Sequence, residues 1–233
     1  MAQTSADDQI RFCRVAWACW LSLGGLLSGA LSLPAAESPE QCRDFRILVD
    51  GKERGTFHMK IRQDADGTEV MAGEADLLLN YIVYRYRYTS RGAEKWKDGR
   101  LLHLENVANY NGSQYTVKAV ALKNELNLSV NGEERRVNPE VWPTSYWRLP
   151  NPKFRNRDVP LLDTDKGRDL KAELQYVGLK PLNLEGRVQQ CAHYRVRGGV
   201  QVDLWYDGQD RLVRQESLES GHRTVLELTQ IQN

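Results

Sequence analysis

Residues 84–132 read YRYRYTSRGAEKWKDGRLLHLENVANYNGSQYTVKAVALKNELNLSVNG, and their punctuation decides the fold. Tyr84, Tyr86 and Tyr88 alternate with Arg85 and Arg87, so an extended segment over 81–89 carries its aromatics on one face and its guanidinium groups on the other. Asp98-Gly99, Asn111-Gly112 and Asn131-Gly132 then separate extended runs at 100–107, 113–122 and 125–130. Each pair suits a tight hairpin turn, whose two central residues need positive φ. In the last run Leu126, Leu128 and Val130 alternate with Glu125, Asn127 and Ser129.

The same reading extends outward. Residues 42–50 and 56–63 form an opening hairpin, turned by residues 52–54 between Gly51 and Gly55. Asp66-Gly67 leads into a strand at 68–79. On the far side, strands are expected at 168–176, 186–197, 199–206, 211–218 and 223–231, with turns at Asp207-Gly208 and Ser220-Gly221. Residues 139–160 interrupt the pattern with five of the eight prolines, so they read as a connection or edge crossing, with a one-turn helix at 144–148. The fold class is mainly β: a strongly curved antiparallel sheet (half-barrel, barrel or sandwich) with one or two short helices. Trp96 through Leu101 echoes Trp205 through Leu212. The echo fits either duplicated halves or the recurrence of a common hairpin recipe.

A signal helix precedes this domain. Arg11 and Arg14 stand before an uncharged apolar run at 15–31, and small residues follow at Ser28-Gly29-Ala30 and Ala35-Ala36. Residues 1–36 are read as a signal peptide cut between 30 and 36, with an uncleaved anchor as the alternative. Residues 37–233 form a single β-rich domain, periplasmic or secreted. Membrane contact is expected only through the signal segment, if it is retained. The chain has 32 Lys and Arg against 31 Asp and Glu, so no net field draws it to nucleic acid. Cys13 and Cys19 would leave with the signal, and an oxidising compartment would join Cys42 to Cys191.

Chemistry is harder to find. His58, His103, His193 and His222 show no ligand spacing, so no metal or cofactor is expected. Cys191-x-His193 could present a nucleophile and base on one strand face, but the expected disulfide consumes the thiol. Three carboxylate pairs, Glu94/Asp98, Asp163/Asp165 and Asp203/Asp207, sit near turns. Glu94 shares a strand face with Trp96 and Asp98, an arrangement a sugar could stack on, whereas Asp163–Gly167 looks like a calcium loop without its later ligands. Aromatics are the remaining signal. Tyr84, Tyr86, Tyr88, Trp96, Trp142, Trp147 and Trp205 offer apolar bodies with polar tips, suited to a groove for an amphipathic ligand or to a core.

Three stretches carry a resemblance. They are the strand and Gly turn at 45–55, Glu94-x-Trp96-x-Asp98-Gly99-Arg100-Leu101, and Leu204-Trp205-Tyr206-Asp207 with Arg211-Leu212-Val213. Over residues 42–230 the chain resembles an uncharacterised family of bacterial secreted proteins, a domain of unknown function. More distantly it is similar to exported half-barrel proteins related to the outer-membrane lipoprotein carrier. The resemblance implies an unclosed, curved sheet and brings no catalytic residues. The carrier's long covering helices have no counterpart here. The expected function is therefore a non-enzymatic envelope protein binding a lipid, another amphipathic ligand or an envelope protein in a sheet concavity. The alternatives are an interaction module whose proline segment or sheet edge docks a partner, and a carbohydrate-active protein using Glu94 and Trp96.

Overall fold

The computed structural model describes residues 40–81, 84–219 and 221–233, the side chains of Tyr81 and Tyr84 excepted; the signal segment lies outside the described residues. The described strands are β1 (Gln41–Val49), β2 (Lys52–Gln63), β3 (Glu69–Tyr81), β4 (Tyr84–Lys97), β5 (Arg100–Tyr110), β6 (Ser113–Leu122), β7 (Glu125–Val130) and β8 (Glu133–Val137). They continue as β9 (Trp142–Pro143), β10 (Arg157–Leu162), β11 (Asp169–Leu184), β12 (Arg187–Gly198), β13 (Val202–Tyr206), β14 (Leu212–Glu219) and β15 (His222–Gln232).

All belong to one mainly antiparallel sheet in the order β8-β7-β6-β5-β4-β3-β2-β1-β15-β14-β13-β12-β11-β10-β9. Each strand pairs with its chain neighbours, except that β1 pairs with β15 and β8 does not pair with β9. The sheet is curved and unclosed, and residues 138–141 link its two edges. Register shifts on β1, β4, β11 and β13 help it bend. Both edges resist further pairing: β8 carries Glu133, Glu134, Arg135 and Arg136, and β9 is two residues ending in Pro143.

The hairpin turns follow the residues. Asp98 and Gly99 have φ of 50° and 75°, Asn111 and Gly112 52° and 99°, and Asn131 and Gly132 52° and 94°. The first turn differs from expectation. Asp50 and Gly51 make it, with φ of 51° and 77°, and residues 52–54 belong to β2. The echoed segments also turn differently. Asp98-Gly99 is a two-residue loop, whereas Asp207 accepts N–H bonds from Gln209 and Arg211 around a longer loop.

The proline segment holds the larger corrections. Residues 144–148 form turns rather than a helix, and the one described helix is a 3-10 turn at Pro152–Phe154, capped by Asn151. Trp142, Tyr146 and Trp147 are core residues, 1%, 3% and 4% exposed, not an interaction patch. The segment enters both main clusters: Val141 and Trp147 join Phe45, Met59, Leu104 and Leu128, while Trp142, Tyr146 and Leu149 join Leu174, Val196 and Leu204. An aromatic side chain buried this fully contributes on the order of 4 kcal/mol by area, an upper bound.

The expected Cys42–Cys191 bridge is not formed, and the described residues hold no disulfide. Cys42 lies on β1 and Cys191 on β12, with β15, β14 and β13 between them. At ~4.8 Å per strand, that separation is several times the span of a disulfide.

Candidate functional site

Glu94 is the least expected buried group. It projects from β4 and its carboxylate is fully enclosed. Trp96, two residues on and therefore on the same face, donates its indole N–H to Glu94 Oε2 at 2.7 Å. Trp147, from the proline segment, donates to the same oxygen at 2.9 Å. Burial pushes the Glu94 pKa above its ordinary value, against the opposing pull of hydrogen bonds from Ser145, Trp147 and Trp96 and of the nearby Arg148 charge. The carboxylate thus bolts the segment to the sheet.

In front of this bolt lies a cavity of about 350 Å³. Trp96, Trp147, Leu149 and prolines 150 and 152 supply its apolar wall. The Arg148 guanidinium stacks 4.7 Å from the Trp96 ring centre and 5.4 Å from that of Trp147, and its Nη1 meets Glu69 Oε2 at 2.5 Å. Arg43, Arg155 and Arg211 complete the basic lining, against the carboxylates of Glu69 and Asp210. Arg211 is held by Asp207, Nε to Oδ2 at 2.7 Å. Arg43 is only 6% exposed and donates Nε–H to Gln41 Oε1 at 2.7 Å. Its Nη1 is buried with no hydrogen-bond partner, as is Nε of Arg155. Burial and the neighbouring Arg211 charge pull the Arg43 pKa down to about 10, so the group still carries its charge at neutral pH.

A second carboxylate ties residues 163–167 to the sheet. Asp165 accepts from Tyr110 Oη at 2.6 Å, Tyr88 Oη at 2.7 Å, Asn106 Nδ2 at 2.8 Å and Ser90 Oγ at 3.3 Å. Asp163 accepts the N–H groups of Asp165 and Lys166 and the Nε of Arg168. Gly167 approaches β7 so closely that a Cβ would lie 2.3 Å from Val130 Cγ2. These carboxylates are satisfied by protein donors. Among the described residues no cluster of His, Cys, Asp or Glu could hold a metal, and no helix is long and apolar enough to cross a membrane.

In sequence, the chain matches the model of the domain of unknown function DUF6134 over residues 45–229. The chain belongs to that family. The match runs from within β1 to within β15. A solved structure, a β-barrel-like protein of the domain of unknown function DUF1849 from Brucella abortus, is similar in fold. Its TM-score is 0.59 at 6% identity, covering 84% of this chain and 98% of that one. No curated protein matches the chain.

In this DUF6134 protein the expected aromatic residues disperse. Trp96 and Trp147 meet at the cavity. Trp142 lies in the other cluster and donates Nε1–H to the Arg148 carbonyl at 2.8 Å. Trp205 is half-buried and stacks on His193 at 4.5 Å between ring centres. Tyr86 packs with Ile47 and Leu77, Tyr88 serves Asp165, and the Tyr84 side chain lies outside the described residues. Glu94 does not face Asp98, which is exposed in its turn, so the two are not a glycosidase pair. Cys191 and His193 share a strand face, but His193 bonds Asp203 rather than the thiol. The four cavity arginines were not among the expected site residues. Arg43 had a legible signal: it shares alternation parity with Phe45, Ile47 and Val49, and a charge on an apolar strand face needs a reason. Arg148 and Arg155 sit in irregular chain, where spacing carries no direction.

Proposed function

We propose that this protein is an exported, non-enzymatic component of the cell envelope that binds an amphipathic ligand. The observation that carries the reading is the cavity where Trp96 and Trp147 form an apolar wall beside a polar, charged rim. The ligand site is placed there rather than deep in the sheet concavity, because Trp142, Trp147, Leu149 and Leu162 pack into the two core clusters. The apolar portion would lie along the indoles, where about 0.8 kcal/mol accompanies each methylene removed from water. Export through residues 1–36 places the domain where amphipathic envelope molecules are found.

Expression of the full chain in a Gram-negative host, followed by fractionation and native mass spectrometry of the exported protein, tests both halves. The reading predicts a processed protein outside the cytoplasm, carrying a bound amphiphile whose occupancy falls in Trp96→Ala. Retention in the cytoplasm would remove the localisation. An envelope protein co-purifying in place of any small ligand would favour the interaction module instead.

A further inference from the structure

We propose that the cavity beside Trp96 and Trp147 is an anion site, in which Arg43 and Arg155 hold a phosphate or carboxylate group. The proposal rests on the ligand-binding reading of this cavity and adds the charge of what it takes. Four guanidinium groups line the cavity, and they are not equivalent. Arg148 is committed to Glu69 and Arg211 to Asp207. Arg43 and Arg155 keep buried N–H groups unpaired, Nη1 of the first and Nε of the second. A buried polar group without a partner is uncommon in a folded protein, and a buried charged one is costly.

Arg43 makes the argument specific. It occupies a position on β1 whose same-parity neighbours are Phe45, Ile47 and Val49, so an apolar side chain there would fit the core face. Arginine is instead buried to 94%, bonds Gln41 through Nε, and lines a cavity with three more guanidinium groups. Repulsion from Arg211 opposes the arrangement at Arg43, and the Asp207 carboxylate offsets it only in part, since burial and Arg211 still hold the Arg43 pKa down. An oxyanion in the cavity relieves the repulsion, and a turn of the Arg43 and Arg155 side chains toward it satisfies their orphan donors. Guanidinium groups suit phosphate and carboxylate because their planar N–H forks match two oxygens at once. Carbonyl-rich neutral ligands would leave the charge uncompensated.

The anion could be the head group of an amphiphile or a free ion, and the test separates them. Protein purified from the full chain is titrated at low salt with dodecyl phosphate, dodecanoate, dodecyl maltoside and inorganic phosphate, followed by tryptophan fluorescence and melting temperature. Arg43→Met, Arg155→Gln and the control Arg87→Gln, an exposed arginine of β4 outside the cavity, are measured alongside. We expect dodecyl phosphate to bind at least about tenfold more tightly than dodecyl maltoside, and Arg43→Met and Arg155→Gln each to remove most of that preference. Added salt should weaken the anionic probes alone. Arg43→Met should remain folded, since it replaces an unpaired buried charge by an apolar chain, and its melting curve checks this.

Inorganic phosphate binding in an Arg43-dependent way, with no gain from an alkyl tail, would support the anion site while overturning the amphipathic reading. Dodecyl maltoside binding as tightly as dodecyl phosphate, with Arg43→Met unchanged, would overturn the anion site while leaving the amphipathic reading in place. No binding of any probe would overturn both.

Discussion

Glu94 and Asp165 fasten two different stretches of chain to the same sheet, the proline segment at Trp147 and the loop at residues 163–167. Glu94 belongs to the sheet, is fully enclosed, and is reached by indole N–H groups of Trp96 and Trp147. Asp165 belongs to the loop, is half-buried, and is reached by the phenols of Tyr88 and Tyr110, with Asn106 and Ser90. At Glu94 the cost of burial falls on the carboxylate itself, whose pKa rises. At Asp165 the donors are the groups displaced: burial first, then the Asp165 charge, raises both phenols well above their ordinary value of 10.0. At the first anchor burial acts on the acceptor, and at the second on the donors.

The comparison can be broken most forcefully at Trp147, which belongs to the Glu94 anchor alone. Trp147→Ala removes a buried indole and one bolt, and should cost about 3–5 kcal/mol in urea unfolding. Next, Asp165→Ala strands two phenols at a half-buried site, while Asn106 keeps the Thr164 carbonyl and Ser90 keeps Asn106 Oδ1, and should cost about 2 kcal/mol, with Trp96 fluorescence unchanged. The alkaline limb sharpens the contrast. The folded phenols stay protonated where unfolded ones ionise, so the folded state binds more protons above about pH 10 and stability falls as pH rises there. Tyr88→Phe with Tyr110→Phe should flatten that limb. The smallest effect is expected for Glu94→Gln, which keeps an acceptor for both indoles and should shift stability by less than about 1 kcal/mol at pH 5. Its signature is the pH slope. Because the folded pKa of Glu94 lies above 4.5, its contribution to stability is fully present below that value and is lost as pH rises through the raised one. The glutamine variant should lose this decline, and a slope unchanged by the substitution would remove Glu94 as its source.

Turns were the most legible part of the sequence, because Asp98-Gly99, Asn111-Gly112 and Asn131-Gly132 leave the backbone little choice. Strand ends near prolines were not. Pro160 sits within β10, yet the β9 pairing reaches only Leu161 and Leu162, so its missing N–H faces no partner strand. Expected to end at 176, β11 instead passes a bulge at Tyr176/Gly178 and runs to Leu184. There Pro181 pairs with β12 beyond the reach of β10, whose last partner is Leu174. Trp96 and Trp147, singled out in the sequence as aromatics, both line the cavity. Its arginine half depended on which chain irregularities meet across the fold, and alternation does not encode that.

The sheet order has a kinetic consequence. Pairing β1 with β15 joins residues such as Phe45 and Leu228, so the central ladder waits on the synthesis of nearly the whole domain. Almost every other ladder is a local hairpin. A circular permutant that links the two described ends and opens at 138–141 would turn the most distant pairing into a neighbouring one. Lower contact order should let it refold faster than the natural connectivity.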